Sequence, residues 1–121
     1  MKLKDFLINQ NENLEKAIKK ISSNHQRTLF VTDNKNKLIG SITDGDLRSL
    51  LLRSGEKKDL QVKRLMNKKP LYFFSGEYKK DKEKKIIREN IKIIPIVNKK
   101  LKILKVIQSE NVRRIFLTKI P

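Results

Sequence analysis

The sequence contains no cysteine, so neither a disulfide framework nor a thiolate metal site is available to it. It has one histidine, His25, lying between Asn24 and Gln26 in a polar stretch, which gives no support for an imidazole base or a histidine-rich metal cluster. Long apolar runs are missing too. Ser49-Leu50-Leu51-Leu52 and Ile93-Ile94-Pro95-Ile96-Val97 fall far short of the roughly 18 residues that a membrane-spanning helix needs. Residues 1–5 are interrupted by an acid, Asp5, and no cleavage-type segment follows, so a signal peptide is not expected and the cytoplasm is the expected location. No paired-carboxylate, nucleophile-elbow or Walker-type pattern is present, and the chain reads as a non-enzyme.

Acidic residues are also scarce: 13 stand against 30 basic ones, for a formal charge of +17. The excess is uneven, because residues 1–60 carry 12 basic and 8 acidic side chains and the rest carry 18 and 5. A surface for nucleic acid or another polyanion is one reading of this asymmetry. Lysines scattered over solvated faces are the other, and the favoured one. The five Phe and two Tyr do not interleave with the basic residues as a base-stacking platform requires.

At 121 residues the chain suits one compact module. Its most informative stretch is 37–48, Lys-Leu-Ile-Gly-Ser-Ile-Thr-Asp-Gly-Asp-Leu-Arg, which begins as a strand and turns into the start of a helix. Such a junction presents free backbone N–H groups and the positive end of a helix dipole. Here it adds the Thr43 hydroxyl and the Asp46 carboxylate three residues apart, which suits a ligand carrying a phosphate and a diol. The plainer reading of the same pair is a helix N-cap followed by a first-turn acid.

In chain order, residues 5–8 read as an edge strand or extended lead-in, and residues 9–11 as a turn with N-cap chemistry. Leu14, Ala17, Ile18 and Ile21 form one helical face. Residues 28–32 and 37–43 read as strands joined by a turn at 33–36, followed by a helix over 44–53 that stops at Gly55. Residues 59–70 read as a connector with a turn or two of helix, 71–74 as a strand and 78–90 as a weakly amphipathic helix. Residues 28–52 then lie over residues 93–117 without a gap, an offset of 65. Phe30-Val31-Thr32-Asp33 falls on Pro95-Ile96-Val97-Asn98, Ile42 on Ile107, and Leu50-Leu51-Leu52 on Ile115-Phe116-Leu117. Repetition of this kind indicates two copies of one supersecondary unit.

The repeated plan, the Met66-Asn67-x-x-Pro70 connector, the Ile94-Pro95-Ile96-Val97 run and the stretch Gly40-Ser41-Ile42-Thr43-Asp44-Gly45-Asp46 together resemble a tandem cystathionine-β-synthase-type (CBS) domain pair, or Bateman module. Residues 42–48 are most similar to CBS pairs fused to sugar-phosphate nucleotidyltransferases, although no such domain follows in this sequence. The resemblance implies an α+β fold of two β-α-β-β-α units packed as one pseudo-twofold module. It implies repeat 1 over 1–58, a connector over 59–70, and repeat 2 over 71–121 with a degenerate motif and a shortened last helix. It further implies a regulatory module that requires no cofactor, binds an adenine nucleotide of the AMP, ADP or ATP class, and acts as a homodimer on a partner enzyme such as a nucleotidyltransferase. Thr43 and Asp46 carry the ligand in this reading. Gly40 leaves the strand open to close approach beside Ser41, Ile8, Asn9 and Gln10 meet the base, and Arg27 and Thr28 meet phosphates. In repeat 2 the positions of Gly40, Thr43 and Asp46 hold Lys105, Gln108 and Asn111, so one competent cleft is expected, around repeat 1.

A divalent metal at Asp44 and Asp46 lacks a third acidic ligand nearby in sequence. The apolar triplets 50–52 and 115–117 wrap their helices too widely for one contact face, which predicts a second subunit against them.

Overall fold

The computed structural model describes residues 2–54 and 60–112, with side chains described to residue 52 in the first of these stretches. The chain divides into two compact units, 1–70 and 71–121.

The first unit opens with a 3-10 turn, Leu3–Phe6, which takes the first two residues of the segment 5–8 expected to be extended, and the strand β1 follows at Leu7–Asn9. Helix α1, Leu14–Ser23, is capped by Asn13, whose Oδ1 accepts the Lys16 N–H, so the cap lies beyond the residues 9–11 expected for it. Its buried face is Leu14, Ala17 and Ile21, with Ile18 partly covered. Strand β2, Thr28–Thr32, is apolar on both faces, whereas β3, Leu38–Thr43, alternates and buries Leu38, Gly40 and Ile42. Helix α2 runs Asp44–Ser54. β1 pairs parallel and β3 antiparallel with β2, giving the order β1-β2-β3.

The connector is built into this unit. Leu14 N–H donates to Leu60 O, Val62 N–H to Glu12 O and Lys63 N–H to Gln10 O, at 2.8, 2.9 and 3.1 Å. Val62 lies in a 3-10 turn, Val62–Arg64, and is fully buried among Ile8, Leu14, Val31 and Ile42, with Leu65 and Met66 packed beside it.

The second unit repeats the plan. Strand β4 is Phe73–Phe74, shorter than expected, helix α3 is Lys80–Arg88, and β5, Ile93–Val97, and β6, Ile103–Gln108, complete the order β4-β5-β6. Each bound of β5 and β6 falls 65 residues after its partner in β2 and β3. The irregularity in pairing recurs as well, at Val31/Thr32 and at Ile96/Val97. Phe73, Ile86, Ile94, Ile96, Ile107 and Val112 form the core. The weak helix pattern has a physical cause: α3 buries Glu83 along with Ile86 and leaves Ile87 73% exposed. Each unit uses a lysine against the carbonyl at an equivalent position. Lys20 Nζ donates to Leu7 O at 2.7 Å, and Lys82 Nζ to Tyr72 O at 2.6 Å. Burial holds both ammonium groups below their usual range. Where the last helix is expected, Ser109–Asn111 form a 3-10 turn and Val112 follows with helical backbone, while the rest of that helix, residues 115–117 included, lies outside the described residues.

Candidate functional site

At the end of β3 and the start of α2, Thr43 and Asp46 are bonded to each other. Asp46 N–H donates to Thr43 Oγ1 at 3.2 Å, and Thr43 N–H donates to Asp46 Oδ2 at 3.0 Å. This is a reciprocal capping box: the side chain at the cap and the acid three residues on each satisfy one otherwise orphan donor. The pair remains exposed, and the box uses Oδ2 alone of the Asp46 carboxylate. Asp46 Oδ1 and the Thr43 hydroxyl hydrogen have no protein partner among the described residues. Capping and ligand binding are therefore compatible, one carboxylate oxygen serving each.

Beside this pair, the loop between α1 and β2 is held by Asn24, which is 1% exposed. Its Oδ1 accepts from the Gln26 and Arg27 N–H groups at 3.1 and 3.0 Å, and its amide donates to Asp5 O and Thr28 O. The satisfied amide sets His25 and Arg27 in left-handed backbone, φ 61° and 53°. Arg27 O accepts the Asp44 N–H at 3.0 Å, and the Asp44 carboxylate receives Arg27 Nη1 at 3.3 Å and Arg48 Nη2 at 2.6 Å. Two guanidinium groups on one carboxylate leave that three-residue ion cluster with one positive charge in excess. Ile21, Ser22, His25, Arg27 and Asp44 line a 320 Å³ cleft there.

Arg27, Thr28, Thr43 and Asp46 thus share one end of the sheet, since Thr28 stands directly across from Thr43. Asn9 and Gln10 do not join them. β1 aligns Asn9 with Thr32, four residues along β2, or about 13 Å from Thr28. Asn9 donates to Asn34 Oδ1 at 3.1 Å and accepts the Asn11 N–H. Gln10 bonds through its backbone to Thr32 and Lys63, and Ile8 is buried in the core. The reason expected for Gly40 is also corrected. A Cβ there would lie 2.5 Å from Met66 Sδ and 2.9 Å from Asn67 O, so the close approach that this glycine permits is that of the connector. Ser41 exchanges both backbone hydrogen bonds with Asn67.

In the second unit Lys105 and Gln108 are exposed, and Gln108 makes no side-chain cap bond, so the box is absent where Asn111 replaces the acid. From sequence Asp44 was weighed only as a metal ligand and its pairing with Arg48 was missed, although their i,i+4 spacing of opposite charges carries the signal. The buried amide of Asn24 left no such trace. No three His, Asp or Glu side chains converge among the described residues. No helix among them is long and apolar enough to cross a membrane.

Residues 3–53 match the family model described as the CBS domain. Across the chain, the fold is that of solved CBS-domain pairs. The CBS domains of a transcriptional regulator from Streptococcus pneumoniae superpose with a TM-score of 0.72 at 14% identity, covering 90% of this chain and 86% of that one. The CBS domain pair of protein MJ0100, solved with 5′-methylthioadenosine and S-adenosyl-L-methionine, gives 0.71 at 20% identity, covering 96% and 95%. CBSX2, solved with AMP, gives 0.68 at 19% identity, covering 89% and 84%. No curated protein sequence matches the chain.

Proposed function

We propose that this chain is a non-catalytic regulatory module that senses an adenine nucleotide at the β3–α2 junction of its first unit. The observation that carries the reading is the exposed Thr43–Asp46 box, with one carboxylate oxygen and one hydroxyl hydrogen left for a ligand. The free anionic oxygen of Asp46, with two lone pairs, suits the cis-diol of a ribose, the Thr43 hydroxyl donates to a neighbouring oxygen, and Arg27, with Thr28 beside it, faces the phosphates. Solved pairs of the same fold that hold AMP or adenosyl compounds support the ligand class. Gly40, Ser41, Asn9 and Gln10 act as structural residues in this proposal, because the hairpin and the connector engage them.

Occupancy is passed on through a homodimer to a partner enzyme, with a sugar-phosphate nucleotidyltransferase the candidate that the stretch 42–48 suggests. Leu52, 88% exposed near the end of α2, supports the dimer surface, whereas Leu50 packs on its own core. A thermal-shift panel of AMP, ADP, ATP, S-adenosylmethionine and GTP tests the ligand. At 100 times its dissociation constant the right one stabilises the chain by about 2.7 kcal/mol, a shift of several degrees for a domain of this size. A flat panel contradicts the reading.

A further inference from the structure

The two units differ most sharply at the turn between their first strand and first helix. In the first unit this turn is occupied. Gln10 O, Glu12 O and Leu14 N–H are bonded to Lys63, Val62 and Leu60, and the Asn13–Gln61 bridge makes the segment a short antiparallel addition to the turn. Asn9, Asn11 and Asn34 fill the space beside it with their own hydrogen bonds, and Lys63 Nζ reaches Asn11 Oδ1 at 3.3 Å.

The offset of 65 carries Gln10, Glu12 and Leu14 onto Ser75, Glu77 and Lys79. The turn itself is conserved in geometry: Ser75 N–H donates to Val97 O as Gln10 N–H does to Thr32 O, both at 2.8 Å. Glu77 N–H donates to Phe74 O as Glu12 N–H does to Asn9 O. Yet Ser75 O, Glu77 O and Lys79 N–H have no partner among the described residues. Where the first unit has its asparagines, the second has Phe74, Gly76 and Lys99, and Phe74, Ser75, Gly76, Glu77, Asn98 and Lys99 line an open, mainly apolar cleft of 560 Å³.

We infer that this turn of the second unit is a docking groove for an extended peptide segment supplied by another protein. The segment has apolar residues at its first and third positions and a basic residue at the fourth. The chain itself supplies the template, since Leu60-Gln61-Val62-Lys63 has this pattern and sits on the equivalent turn of the first unit through those three backbone groups. The connector of a second copy does not serve, because Val62 is fully buried in its own unit. The groove ends at the turn. Lys105 stands where Gly40 admits Met66, so the track along β6 is closed to a segment following the course of residues 66–67.

The test titrates a capped peptide, Leu-Gln-Val-Lys-Arg-Leu, the sequence of residues 60–65, into the 15N-labelled full chain. Saturable shifts at the amides of Ser75, Gly76, Glu77 and Lys79 are expected, and a peptide with Asp in place of the Val binds at least about tenfold more weakly. Unmoved amides at millimolar peptide overturn the inference, and so do equal shifts with both peptides. Shifts confined to Gln10, Glu12 and Leu14 overturn it as well, since they report exchange with the chain's own connector.

Discussion

Asn36 and Leu101 stand 65 positions apart and take the same left-handed backbone, φ 64° and 65°. Each closes its hairpin by donating its N–H to the carbonyl three residues back, Asp33 O at 3.1 Å and Asn98 O at 2.9 Å. The Asp33 and Asn98 side chains take matching roles, each accepting two further backbone N–H groups at 2.8–3.0 Å. The bulge in pairing lies beside both turns. The hairpin is thus imposed by the paired strands and the Asx turn, and it forces Leu101 into a conformation that asparagine tolerates and leucine resists.

Leu101→Asn is therefore expected to stabilise the chain by about 0.5–1 kcal/mol, by relief of left-handed strain. Urea unfolding with an unchanged slope checks it, and Asn36→Leu should shift stability by a similar amount the other way.

Asp33 gives a pH dependence that Asn98 lacks. The Lys37 N–H foremost, then the Lys35 N–H and the charges of the same lysines, hold the Asp33 carboxyl below its ordinary value of 3.8. A carboxyl lowered in the folded state stabilises the fold above its unfolded pKa, and that contribution is lost as the pH falls through the folded value. Asp33→Asn keeps the acceptor, as Asn98 shows, and removes the titration. Melting temperatures of the variant should fall less steeply than those of the parent below about pH 4.

Much of the fold was legible because the two copies check each other. The strands at 28–32 and 93–97 alternate little, but each aligns with the other at a constant offset, and both are where the sequence places them. The helix after residue 78 was blurred because its buried face includes Glu83, a residue type that hydrophobic periodicity counts against burial. At the site, Thr43 and Asp46 were legible because strand-to-helix junctions use few residue types. Gly40 was misread because a glycine signals close approach without saying what approaches, and here it is Met66, 26 residues downstream.

That contact makes its own prediction. Gly40→Ala drives a methyl into Met66 Sδ and the Asn67 carbonyl, and should cost about 1–3 kcal/mol. Met66→Ala in the same chain should recover part of the loss, since the sulfur can be removed and the Asn67 backbone cannot. A double-mutant cycle in denaturant reads the coupling, and strict additivity would contradict the contact.

Thr43→Ala removes half of the capping box and should cost about 1 kcal/mol, with Thr43→Ser close to neutral. Chemical denaturation without ligand isolates this structural role.

The most direct test of the central claim separates cap from ligand at Asp46. Asp46→Asn retains an oxygen to accept the Thr43 N–H and replaces the free anionic oxygen that faces the ribose with an amide donor. Isothermal titration of the parent and of this variant with the adenine ligand selected by the thermal panel is the measurement. The account predicts a melting temperature near that of the parent and an affinity at least about tenfold weaker, as the loss of a charged hydrogen bond implies. Equal affinity in a well-folded variant would make Asp46 a helix cap and nothing more.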